Sequence, residues 1–115
     1  MAVDRRPIDQ MVLDVGATAF LRLARLFEEE TRGAVVEIRR RLAAGDWREL
    51  GRQAHSLKNS TSSFGLVRLA EVAARIEAAA DSRQSADAER QIERLESEVG
   101  SDLAALDFLL KQLGA

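Results

Sequence analysis

The sequence predicts an all-α protein: an up-down-up-down four-helix bundle with a short extra N-terminal helix, forming one domain over residues 1–115. Three observations carry that expectation. Ala, Leu, Arg and Glu dominate the composition and the single proline is Pro7, so helix is favoured nearly everywhere after it. Apolar residues recur at spacings of three and four in successive segments, with no strand-like alternation. The connections between these segments are short, as antiparallel neighbours require. A chain of 115 residues is long enough for one real core but not for two.

The elements follow in order. Ile8 to Val15 is expected as the short helix, with Asp9 as its cap and Gly16 as its end. Thr18 is a suitable N-cap for the next segment, where Phe20, Leu23 and Phe27 recur on one face. The polar run Glu28 to Gly33 is read as a break, after which Val35, Ile38 and Leu42 form a second stripe stopped by Gly45. Asp46, with Glu49 three residues later, has the form of a capping box. Trp47, Leu50, Ala54, Leu57, Thr61 and Phe64 then keep helical rhythm up to Gly65. Leu66, Leu69, Ala73, Ile76 and Ala80 make the following stripe, and Asp81 to Ser85 is a polar connector. The last stripe runs from Ala88 through Ile92, Leu95, Val99, Leu103, Leu106 and Leu110 to Leu113, with Gly100 as a candidate bend.

Composition narrows the chemistry. Hydrophobic residues make up 46% and charged residues 31%, as in folded globular proteins. Without cysteine there is no disulfide, thiolate zinc site or cysteine nucleophile, and one histidine makes no metal cluster. A formal net charge of -2 gives no reason to expect a nucleic-acid partner. No apolar stretch is long enough for a membrane span and the N-terminus lacks a signal-peptide pattern, so a cytoplasmic address is the default expectation. Met1 and the short tail after Leu113 suggest a free-standing chain.

The one histidine, His55, lies in the segment AHSLKNSTSSFG. On a helical wheel it points about 130° away from the centre of the Trp47–Phe64 stripe, toward solvent. Gly51 and Arg52 lie one turn before it, Lys58 and Asn59 one turn after, and Ser62 two turns along. A glycine inside an exposed helix costs about 1 kcal/mol relative to alanine, and Gly51 would let a partner's backbone approach beside His55. A lone exposed histidine is usually an ordinary surface residue. It suits neither a metal site nor a hydrolase triad here, since further ligands and a nucleophile motif are both missing. Covalent carriage of a group asks for less: exposure, an available ring nitrogen and a nearby cation such as Lys58.

The surrounding residues resemble the signature of histidine-containing phosphotransfer (HPt) domains. Asp46, Leu50, Ala54, His55, Leu57, Lys58, the small run Ser60 to Ser63, Gly65, Leu69 and the pair Ile76-Glu77 match that signature. Phe27 and the Ala44–Asp46 stretch match its upstream part, and the likeness covers roughly residues 8–110. As a set these matches are specific, whereas His-x-x-Lys alone is weak. Asn59 stands where the family commonly has Gly, a departure that bears on receiver docking or selectivity. The resemblance implies a phosphoryl carrier rather than a turnover enzyme. His55 would accept a phosphoryl group from a receiver-domain aspartate and pass it to another receiver, with Lys58 compensating charge. Gly51, Arg52, Asn59 and Ser62 would meet the partner. The implied partners are receiver domains of a hybrid histidine kinase, of response regulators, or of both. The implied carrier is a monomer without cofactor, and magnesium would sit on the receiver. Three alternatives stay open at this stage. A histidine kinase dimerisation domain would carry an acidic residue where Ser56 stands, and a nucleotide-binding motif that is missing here. A non-catalytic receiver-binding module and a purely structural bundle are the others.

Overall fold

In the computed structural model, which describes residues 3–114, the helices in chain order are α1 (Arg5–Val15), α2 (Ala17–Ala43), α3 (Trp47–Ser63), α4 (Val67–Asp81) and α5 (Ser85–Gly114). α2 packs against α3 and α5, α4 packs against the same two helices, and α1 lies on α2. The α2–α5 helices thus close a ring around a shared core whose fully buried side chains include Phe20, Ile38, Leu50, Leu69, Ile76, Ile92 and Leu106.

Several boundaries differ from the sequence reading. Asp4, not Asp9, caps α1, its side chain accepting from the Arg6 amide at 3.0 Å. Gly16, with φ +85°, is the corner between α1 and α2, so Thr18 lies inside α2 rather than capping it. The largest correction is α2 itself, which runs unbroken through Glu28–Gly33. Its buried stripe is Phe20, Ala24, Phe27, Thr31, Val35 and Ile38, and Leu23 is left 46% exposed. Thr31 carries the stripe across the polar run while Glu29, Glu30, Arg32 and Gly33 face outward. A small hydroxyl-bearing residue at one position of the stripe hides helical continuity from a search for large apolar residues. α5 likewise continues through Gly100.

The expected start of α3 is present, with Asp46 accepting from the Glu49 amide at 3.3 Å. The return half of the capping box is absent, because the Asp46 amide donates to Arg41 O at 3.0 Å. That bond, with Gly45 N–H donating to Leu42 O at 3.0 Å, closes a Schellman turn between α2 and α3. The α3–α4 turn repeats the pattern, Leu66 N–H to Thr61 O at 2.9 Å and Gly65 N–H to Ser62 O at 3.0 Å. Gly65 is needed there for two reasons. Its φ is +72°, and a Cβ on it would stand 1.9 Å from Asp4 O. The space serves the N-terminal segment, whose Asp4 amide donates to Gly65 O at 2.6 Å beside a bridge between Val3 and Leu66. Phe64 then turns inward and stacks on Phe27 with ring centroids 4.2 Å apart, tying this turn to α2.

Candidate functional site

α3 divides into two faces. Leu50, Ala54, Leu57 and Thr61 are buried, and Thr61 satisfies its hydroxyl by donating to Leu57 O at 2.7 Å. His55 follows Ala54 and is therefore turned about 100° out of the core, where its side chain is 53% exposed. On α4, Ile76 is fully buried and Glu77 is the next residue round, at the edge facing α3.

These two helix edges meet in one cluster. Glu77 Oε2 lies 2.8 Å from His55 Nδ1, and Glu77 Oε1 accepts from Lys58 Nζ at 2.9 Å. The Lys58 ammonium, above all, holds the Glu77 carboxyl below its ordinary value; burial opposes it, and the His55 ring adds a smaller lowering. A carboxylate only accepts, so the Nδ1 atom facing it carries the proton, and in the neutral ring Nε2 keeps its lone pair. Asn59 Nδ2 stands 3.3 Å from that Nε2. The result is an oriented imidazole, held at Nδ1 by Glu77 and met at Nε2 by the exposed Asn59 amide.

Beside His55, between α3 and α4, lies an open hollow of about 600 Å³. Gly51 and Arg52 line it from the preceding turn of α3, and Arg83 from the α4–α5 connection. Arg52 also pairs with Glu49 at 3.3 Å. A Cβ on Gly51 would meet Ala80 Cβ at 3.6 Å, an ordinary contact, so packing against α4 does not require glycine there. Arg83 has φ +52° and occupies the left-handed position of a third Schellman turn.

Of the residues singled out in the sequence, His55, Lys58 and Asn59 come together, Gly51 and Arg52 flank them, and Ser62 is exposed further along α3 without joining the network among the described residues. Glu77 entered the sequence reading only as half of the pair Ile76-Glu77, with no role attached. The available signal was an acidic side chain directly after a core position, but nothing local tells which helix that edge faces. Among the described residues no helix is long and apolar enough to cross a membrane, and no three metal-ligating side chains gather.

A half-exposed histidine with an oriented ring beside an ammonium has the groups that a nucleophilic carrier needs. The family comparison agrees: the Hpt domain matches residues 22–112, and the chain belongs to that family. Hpt domains are phosphotransfer modules of two-component systems and act with receiver domains. The match contains the whole His55–Lys58–Glu77 cluster and leaves out α1 and the first turn of α2. No curated protein and no solved structure matches the chain.

Proposed function

We propose that the protein is a phosphorelay intermediate that takes a phosphoryl group onto His55 Nε2 from a receiver aspartate and hands it to a second receiver. The observation that carries this reading is the Nδ1 contact with Glu77, which fixes the tautomer and leaves Nε2 as the nucleophile. In the forward step the Nε2 lone pair attacks phosphorus, the bond to the aspartyl oxygen breaks, and the aspartate leaves with the electron pair. The Nδ1 proton stays in place, so positive charge develops on the ring while it faces the Glu77 carboxylate. Transfer of this kind depends mainly on positioning and charge compensation.

Lys58 serves both needs in this reading. Its ammonium holds Glu77 and brings a positive charge one helical turn from the ring, within reach of a phosphoryl group. Gly51, Arg52, Asn59 and Ser62 form the rim the receiver meets, and magnesium belongs to that receiver. The ring of contacts among α2, α3, α4 and α5 supports an up-down-up-down bundle with α1 added outside it. The partners are receivers of a hybrid histidine kinase or of response regulators, the carrier is a cytoplasmic monomer, and it does not turn over as an enzyme.

The test is label transfer from a phosphorylated receiver. The product is expected to be acid-labile and base-stable, as a phosphoramidate is, and His55→Gln is expected to abolish it without changing helical content or melting temperature. Phosphate retained by His55→Gln overturns the assignment.

A further inference from the structure

Both ring nitrogens of His55 are engaged, one from each side. Glu77 accepts from Nδ1 at 2.8 Å, so in the neutral ring the contact at Nε2 is an N–H donated by Asn59, at 3.3 Å. The Asn59 amide therefore occupies the lone pair on which the proposed transfer depends. Asn59 is exposed and lies four residues after His55 on α3, so the pairing is intrahelical and needs no other element. Its side chain is also short enough to turn about Cβ–Cγ without leaving the site.

We propose that Asn59 is a positioning residue that times phosphate exchange by donating to Nε2 before transfer and to a phosphoryl oxygen after it. This rests on the phosphocarrier reading of His55. Before transfer the amide must swing away, which slows loading. The new phosphoryl oxygens are acceptors placed where Nε2 pointed, so the same N–H can bond them and lengthen the life of the phosphohistidine. A side chain without a donor does neither. Asn59 thus makes the protein a slower-loading, longer-holding carrier.

The experiment uses no receiver, which separates this role from docking. The full chain is loaded with phosphoramidate: Nε2 attacks phosphorus, the bond to nitrogen breaks, and ammonia leaves. Loading rate and phosphohistidine half-life are then read for wild type, Asn59→Ala and Asn59→Asp. Alanine is the better helix former, so a changed lifetime cannot come from a weakened helix. Asn59→Ala is expected to load faster and lose phosphate faster, each by about threefold to tenfold, the range of one net hydrogen bond. Asn59→Asp keeps the size and removes the donor, so its phosphohistidine is also expected to be shorter-lived. In ¹⁵N spectra of the unloaded protein, the Nε2 resonance is expected to move downfield in Asn59→Ala while Nδ1 keeps its proton. Wild-type loading and lifetime in Asn59→Ala, wild-type lifetime in Asn59→Asp, or an unmoved Nε2 resonance overturns the role of Asn59. If wild type itself takes no phosphate on His55, from phosphoramidate or from a receiver, the carrier reading fails and this inference with it.

Discussion

Among the described residues two charge clusters tie neighbouring helices together, and only one of them contains a group with a lone pair to offer as a nucleophile. Between α2 and α5, Arg39 donates to Glu96 through Nη2 at 2.7 Å and Nε at 3.1 Å, and through Nη1 to Glu89. Between α3 and α4, Glu77 accepts from both Lys58 and His55. Each cluster has carboxylate and cation from adjacent helices, and each is partly exposed. The difference lies in what remains after pairing. A guanidinium has no lone pair, so once Arg39 is satisfied it can only hold. The imidazole spends Nδ1 on Glu77 and keeps Nε2, met only by the exposed Asn59 amide among the described residues. The pairing that braces α3 against α4 also orients a nitrogen able to act as a nucleophile.

The widest separation between bracing and chemistry is expected on α3 itself. Leu50→Asp or Leu57→Asp puts an unpaired charge on the fully or nearly fully buried face. Either is expected to cost roughly 4 kcal/mol or more and unfold the bundle, destroying both clusters together. Arg52→Ala, on the exposed face, is expected to change stability by less than about 0.5 kcal/mol. Thermal melts decide it, and equal losses would mean that the two faces of α3 are not distinct.

Within the His55 cluster the expected loss is kinetic. Glu77→Gln removes the carboxylate that faces the developing ring charge, and Lys58→Ala removes the ammonium that holds it. Each is expected to slow single-turnover transfer by about tenfold, equivalent to about 1.4 kcal/mol in the transition state. Melting temperatures should hardly change, since partly exposed pairs contribute little to stability. Arg39→Ala, which removes three hydrogen bonds between α2 and α5, should lower stability by at most about 1 kcal/mol while leaving the transfer rate alone. A transfer defect in Arg39→Ala would break the distinction drawn between the clusters.

The smallest effect is a pH dependence that the clusters share. Arg39 first holds Glu96 below its ordinary value, as Lys58 does Glu77. A carboxyl lowered on folding stabilises the fold above the usual carboxylate range, and that contribution is lost as pH falls through the lowered folded value. Both ties are therefore expected to hold into the range near pH 4 where free carboxylates take protons, and to release further down. Asp102 and Glu28 run the other way: burial pushes both up, so the fold gains stability as they take protons. Melts of Glu77→Gln and Glu96→Gln between neutral and strongly acidic pH should show less loss on acidification than wild type. A wild-type slope in both variants would remove the clusters from the acid response.

Sequence alone determined the face of α3 that His55 occupies, the Asp46 start, and the turns at Gly45 and Gly65. All of these are local: a 3.6-residue period, a side chain reaching three residues along its own backbone, and a positive φ that glycine adopts without strain. Tertiary structure decided the rest. Leu23 and Ala24 both fit a helical stripe, and only packing of α2 against α3 and α5 put the smaller one inside. Glu28–Gly33 looked like a break because a polar run can belong either to a loop or to the outer face of a continuing helix. The role of Gly65 as a seat for Asp4 joins residues far apart in the chain. Glu77 was the decisive case. Its partnership with His55 depends on how α4 is rotated against α3, which is set by the whole buried stripe of each helix and by no residue near either side chain.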